Sequence, residues 1–159
     1  MINSLIKLGV DFISVGGVET REDIDEVKGL LSVKGRHIKL LAKLQSRKAL
    51  ANFNELLEEA DGIVIARGQL GLEFQIEDIA FIQQYIIKRC NAVKKPCILS
   101  TEIMDSMITR LRPSRSEVAD ISKAISDGID CLILTGETSF GPNWKEATEY
   151  MSRICYEAE

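Results

Sequence analysis

The sequence predicts an α/β fold built on parallel strands, and three observations carry that expectation. Five short apolar runs rich in β-branched residues recur, at residues 10–15, 38–42, 63–66, 97–100 and 131–135. Most are continuous rather than alternating, as expected for strands buried on both faces. The segments between them repeat apolar residues at helical spacing, and successive runs begin roughly 25–35 residues apart, the length of one strand-plus-helix unit.

After the first run, residues 22–33 place Ile24, Val27, Leu30 and Leu31 on one helical face. After the second, residues 47–60 do the same with Leu50, Phe53, Leu56 and Leu57. The third run ends in a glycine-containing turn, Ala66-Arg67-Gly68-Gln69-Leu70-Gly71, and a helix is expected over 76–93. Pro96 stands just before the fourth run, where its missing N–H does little harm. Ser114 and Glu117 then form an S-x-x-E capping box after Pro113, which starts a helix expected over 117–127. A helix over 145–157 follows the fifth run. Alternation of this kind means parallel strands joined by right-handed crossovers. A doubly wound open sheet is complete with five strands, whereas a (β/α)8 barrel needs eight and typically ~250 residues. The periodic pattern by itself does not choose between them.

The chain has 159 residues, of which 45% are hydrophobic and 28% charged, a globular composition for one domain. A net charge of −4 argues against nucleic acid or an anionic membrane as the main partner, while leaving small anionic substrates open. Four cysteines (Cys90, Cys97, Cys131, Cys155) show no CxxC spacing and only His37 could assist them, so no zinc site is expected. Cys97 and Cys131 lie inside strand-like runs and read as buried reduced thiols. No signal pattern appears and no apolar run approaches the ~20 residues of a membrane span. The expected location is cytoplasmic.

In either architecture function sits at the carboxyl ends of the strands. Lys43 closes an otherwise apolar strand, which suits an ammonium facing a phosphate or a developing enolate oxygen; a lysine simply reaching solvent is the plainer alternative. Gly68-Gln69-Leu70-Gly71 could offer backbone N–H groups to an anion, although most such turns are structural. Thr101 could bond a ligand or cap the next turn. Residues 135–141, Thr-Gly-Glu-Thr-Ser-Phe-Gly, form a glycine-punctuated loop. Arg110, Arg112 and Arg115 read as solvated or subunit-contact residues, and His37 is assigned no role.

Together the stretches GVDFISV, IKLLAKLQS, ADGIVIARGQLGLE, KKPCILSTEIMDSMI, RPSRSEVADISKAISDGIDCLILTGETSFG and RICYEAE resemble the pyruvate kinases in order and spacing, over essentially the whole chain. The resemblance implies the barrel, with residues 1–159 as the C-terminal portion of its catalytic domain. The first three strands, the inserted lid domain and the C-terminal regulatory domain are expected to be absent. Five strands of a barrel leave two open edges and an exposed apolar interior, so the rest of the barrel is expected in cis or from a homo-oligomer.

The resemblance also implies phosphoryl transfer from phosphoenolpyruvate to ADP, giving pyruvate and ATP in glycolysis, with Mg²⁺ and K⁺ as cofactors; the K⁺ site would lie outside this chain. It makes Lys43 and Thr101 the catalytic positions, and Lys43, Gly68, Gln69 and Thr101 the substrate-binding ones. The family's two metal carboxylates, in K-I-E and A-R-G-D-L-G, fall on Gln45 and Gln69. The family's S-F-V-R becomes Gly16-Gly17-Val18-Glu19. Mg²⁺ favours anionic oxygen ligands, and losing each charge beside it costs on the order of several kcal/mol. Two functions therefore stand: a phosphotransferase segment, or a barrel that still binds the anionic substrate but has lost the metal. A citrate-lyase-like aldolase is a third, opposed by the RPSRSE and TGET stretches. Glu102, where the family has glutamine, is the one carboxylate that could restore a metal ligand; its carboxylate would then lie within direct or water-bridged reach of the Lys43 ammonium, and a place on the outer helical layer would exclude it.

Overall fold

The computed structural model describes residues 2–31 and 35–158. Its strands are β1 (Phe12–Val15), β2 (Lys39–Leu44), β3 (Gly62–Ala66), β4 (Cys97–Ser100) and β5 (Cys131–Ile133). Its helices are α1 (Ile2–Leu8), α2 (Arg21–Leu31), α3 (Arg47–Ala51), α4 (Phe53–Glu59), α5 (Arg67–Glu73), α6 (Ile76–Ala92), α7 (Arg115–Ser126), α8 (Gly136–Ser139) and α9 (Trp144–Ala158), with a 3₁₀ turn at Asp105–Ile108. All five expected strands are present within one or two residues of their expected ends. The end of the helix expected over 22–33 lies outside the described residues.

The strands form one parallel sheet in the order β1-β2-β3-β4-β5. That order decides between the two architectures. A doubly wound sheet reverses direction at a switch point, whereas a barrel adds each strand beside the last. The sheet is a curled, incomplete barrel. Register and alternation sort its two faces. Ile13, Val15, Leu40, Ala42, Leu44, Ile63, Ile65, Cys97 and Leu99 share the face packed against the helices. Phe12, Leu41, Lys43, Val64, Ile98, Cys131 and Ile133 share the other, which faces the barrel axis.

This second face corrects one expectation. Cys97 is buried, but Cys131 is exposed. It pairs with Ile98 on the axial face of the terminal strand, where no further strand covers it. Phe12, on the opposite terminal strand, is 58% exposed for the same reason.

The helices begin and end where their sequences direct. Ser114 Oγ accepts from Glu117 N–H at 3.2 Å and the Glu117 carboxylate accepts from Ser114 N–H at 2.6 Å, so the capping box is complete. At the other end of α7, Gly128 N–H reaches Ile125 C=O and Ile129 N–H reaches Ala124 C=O, a Schellman closure with Gly128 at φ +91°. The expected helix over 47–60 is broken in two at Asn52, whose side chain leaves the helix to donate to Glu19 C=O at 2.9 Å. Lys95 secures the far end of α4 by donating to the carbonyls of Leu57, Glu58 and Ala60 at 2.7–2.8 Å.

Candidate functional site

The carboxyl ends of β1 to β4 bring the sequence-selected residues into two adjoining groups. In the first, alternation along β2 puts Leu41, Lys43 and Gln45 on the axial side, with Lys43 level with Val64 of β3. Lys43 is half-buried. The Gln45 amide lies directly over Gly16: a Cβ on Gly16 would stand 3.0 Å from Gln45 Oε1 and 3.4 Å from Nε2. Bare backbone at residue 16 and an amide at residue 45 therefore fit each other.

Glu19, the acid at the end of the same β1 loop, is engaged elsewhere. Its carboxylate accepts from Ser46 Oγ at 2.7 Å and pairs with Lys48 Nζ at 3.2 Å. The Ser46 bond, then Lys48, holds its pKa below the usual glutamate range. It ties the β1 loop to the start of α3, where Ser46 is also the N-cap, accepting from Ala49 N–H.

The second group lies across the ends of β3 and β4. The ARGQLG stretch, expected as a turn, winds into the seven-residue helix α5, with Gln69 exposed in its first turn. Gly68 N–H donates to Thr101 Oγ1 at 2.8 Å, and Thr101 Oγ1 donates in turn to Ser100 C=O at 2.6 Å. Two of the predicted site residues thus contact each other. Thr101 and Glu102 are both left-handed, at φ 66° and 54°. This pair of non-glycine residues turns the chain sharply off β4 and brings Glu102 back over the β3 end. A Cβ on Gly68 would lie 3.7 Å from Glu102 Oε1. Glu102 therefore stands at the strand ends and not on the outer helical layer.

Beneath this turn lies Arg67, which the sequence reading passed over. Its side chain is 8% exposed. The guanidinium donates to Thr101 C=O at 3.4 Å, to Glu102 C=O, to Gln83 Oε1 at 3.3 Å and to the Asp120 carboxylate. Glu137 was passed over too, within a loop noted only for its glycines. It is fully buried and accepts from Met104 N–H and Thr135 N–H, each at 2.8 Å. It fastens the β5 loop to the β4 loop. The available signal was a charged residue placed directly after an apolar strand, as Arg67 is, where burial obliges it to find partners.

Two of the carboxylates around these loops, Glu117 and Glu137, are committed to backbone N–H groups. Burial and then Glu137, Glu102 and Glu117 push the Asp105 carboxyl above the usual aspartate range, with Arg67 opposing. Among the described residues no three His, Cys, Asp or Glu side chains gather as a metal ion requires. At residues 45 and 69 the donors are neutral amides, so the residues present do not fit a Mg²⁺ ion held by paired carboxylates.

A singly wound parallel barrel segment, with a lysine, amides and a hydroxyl at its strand ends, defines the class: a barrel whose chemistry is set by its strand-end loops. The chain belongs to the pyruvate kinase family. Residues 1–148 match the family model described as pyruvate kinase, barrel domain. It is 42% identical over 159 residues to pyruvate kinase of Eimeria tenella, covering 100% of this chain and 30% of that protein. It is 42% identical over 154 residues to pyruvate kinase of Dictyostelium discoideum (97% of this chain, 30% of the relative). It is 40% identical over 155 residues to that of Geobacillus stearothermophilus (97% and 26%). The chain spans under a third of the length of these relatives. No helix among the described residues is long and apolar enough to cross a membrane.

Proposed function

We propose that this segment supplies the substrate-anion site of a pyruvate kinase-type barrel, taking phosphoenolpyruvate-class anions with Lys43 and the Gln69 amide as donors while Gly68 and Thr101, bonded to each other, shape the turn beside them, and that it does not hold the catalytic Mg²⁺. The single observation that carries this is the donor set: amides at Gln45 and Gln69, with no gathered carboxylates beside them among the described residues. Phosphoryl transfer depends on positioning and charge neutralisation, so a strand-end site that keeps its cation and hydroxyl but lacks metal ligands binds without transferring. Lys43 supplies the fixed positive charge, and the amide N–H₂ groups of Gln45 and Gln69 are neutral donors to anionic oxygens where carboxylates would repel them.

A second reading, phosphotransferase activity in a longer protein with K⁺ and Mg²⁺ bound, ADP as acceptor and the cytoplasm as its location, draws on the relatives' shared name and on Glu102 near Gly68. One assay separates the two. Protein expressed from the full reading frame that contains this segment is tested for pyruvate formation with Mg²⁺ or Mn²⁺, alongside the double substitution Gln45→Glu and Gln69→Asp. The expected result is no turnover until both carboxylates are introduced. Turnover by the unsubstituted protein would overturn the reading.

A further inference from the structure

We infer that Arg67 is a positioning residue: it holds the Thr101–Glu102 turn in its left-handed form and thereby sets the Thr101 hydroxyl against Gly68. The inference rests on the proposed anion site and adds to it a residue that touches no ligand.

The backbone states the problem. Left-handed geometry is costly for a residue with a Cβ, and here Thr101 and Glu102 adopt it consecutively, one of them β-branched. Such strain persists only where the surroundings over-determine it. Here the two strained carbonyls share one partner, a guanidinium. Arg67 donates to the carbonyls of both strained residues, so each would lose its partner if the turn relaxed.

The other face of the fork is fixed independently. Gln83 on α6 and Asp120 on α7 accept from the same side chain, so two helices hold the guanidinium still. A planar five-donor group can do this; a lysine ammonium, with one nitrogen, cannot span carbonyls and carboxylate together. The consequence reaches the site through two bonds. With the turn held, Thr101 Oγ1 accepts from Gly68 N–H at 2.8 Å and donates to Ser100 C=O at 2.6 Å, which fixes the shape of the β3 and β4 loops at the strand ends. Without it, Thr101 relaxes towards an extended conformation, Gly68 loses its acceptor, and Glu102 swings away from Gly68.

The test uses protein from the full reading frame, with Arg67→Met, Arg67→Lys, and each combined with Glu102→Gly, which adopts the left-handed form without a steric cost. Two readouts are taken: hydrogen exchange of the Gly68 amide, and the Kd for phosphoenolpyruvate. The expected result is about tenfold faster Gly68 exchange and about tenfold weaker binding in the Arg67 variants, with α6 amides unchanged. Adding Glu102→Gly should bring Gly68 exchange back to within about threefold of the parent. If Arg67→Met does not fold, Arg67→Lys, which keeps a cation for Asp120, decides by the same criteria. Unchanged Gly68 exchange in the Arg67 variants, or no recovery with Glu102→Gly, overturns the inference. If the parent protein binds no phosphoenolpyruvate, the proposed function fails, and Gly68 exchange still decides the role of Arg67.

Discussion

Gln45 and Gly16 show how single residues define this site. The amide occupies the space a side chain on residue 16 would take, so the pair functions as one unit of shape. Replacing a carboxylate by an amide at residue 45 removes a charge and exchanges one acceptor oxygen for an N–H₂ donor, which is why the proposed reading makes it a donor for anions instead of a cation ligand. Glu117 gives a residue-scale prediction about stability. Burial raises its pKa, but the Ser106 hydroxyl and the backbone N–H groups of Ser106 and Ser114 outweigh that and hold it below the usual glutamate range. A lowered folded pKa contributes stability that is present above the unfolded pKa and lost as pH falls through the folded one. Glu117→Gln should therefore destabilise by on the order of 1 kcal/mol at neutral pH. The gap between parent and variant should close below about pH 4, measured by urea unfolding across pH.

At the scale of elements, α7 is closed at both ends by local sequence, and its C-terminal closure is the more exacting. Gly128 is left-handed, and a Cβ there would meet Asn91 Nδ2 at 2.5 Å. That amide is itself bonded to Asp127 C=O and Gly128 C=O, so it is not free to withdraw. Gly128→Ala should cost about 1–3 kcal/mol in thermal or denaturant unfolding, whereas Gly71→Ala, with open space around it, should cost little. Elements of this kind were legible in the sequence because their causes are local: apolar runs for the strands, Ser114 and Glu117 for the start of α7. The break at Asn52 was not, because it depends on a bond to Glu19, 33 residues away. The winding of ARGQLG into α5 was missed since two glycines weaken helix propensity. Arg67 was missed for the same reason as Asn52: its partners lie in the turn after β4, on α6 and on α7. Lys43, Gly68 and Thr101 could be placed at the strand ends from sequence because parallel topology alone puts them there.

At the scale of the molecule, the strand order and family membership describe part of a barrel, with Phe12 and Ile133 on the axial face of its two terminal strands. An axial face left partly open is apolar surface that further strands would cover. The strand-end site sits above that face, and the proposed function makes it an anion site that works without a divalent ion. The most direct measurement is calorimetric titration of phosphoenolpyruvate into protein from the full reading frame, once in EDTA and once in saturating Mg²⁺. Binding is expected in both conditions, with Kd values agreeing within about twofold. Binding seen only with Mg²⁺, or tightened by it about tenfold or more, would contradict the proposed function.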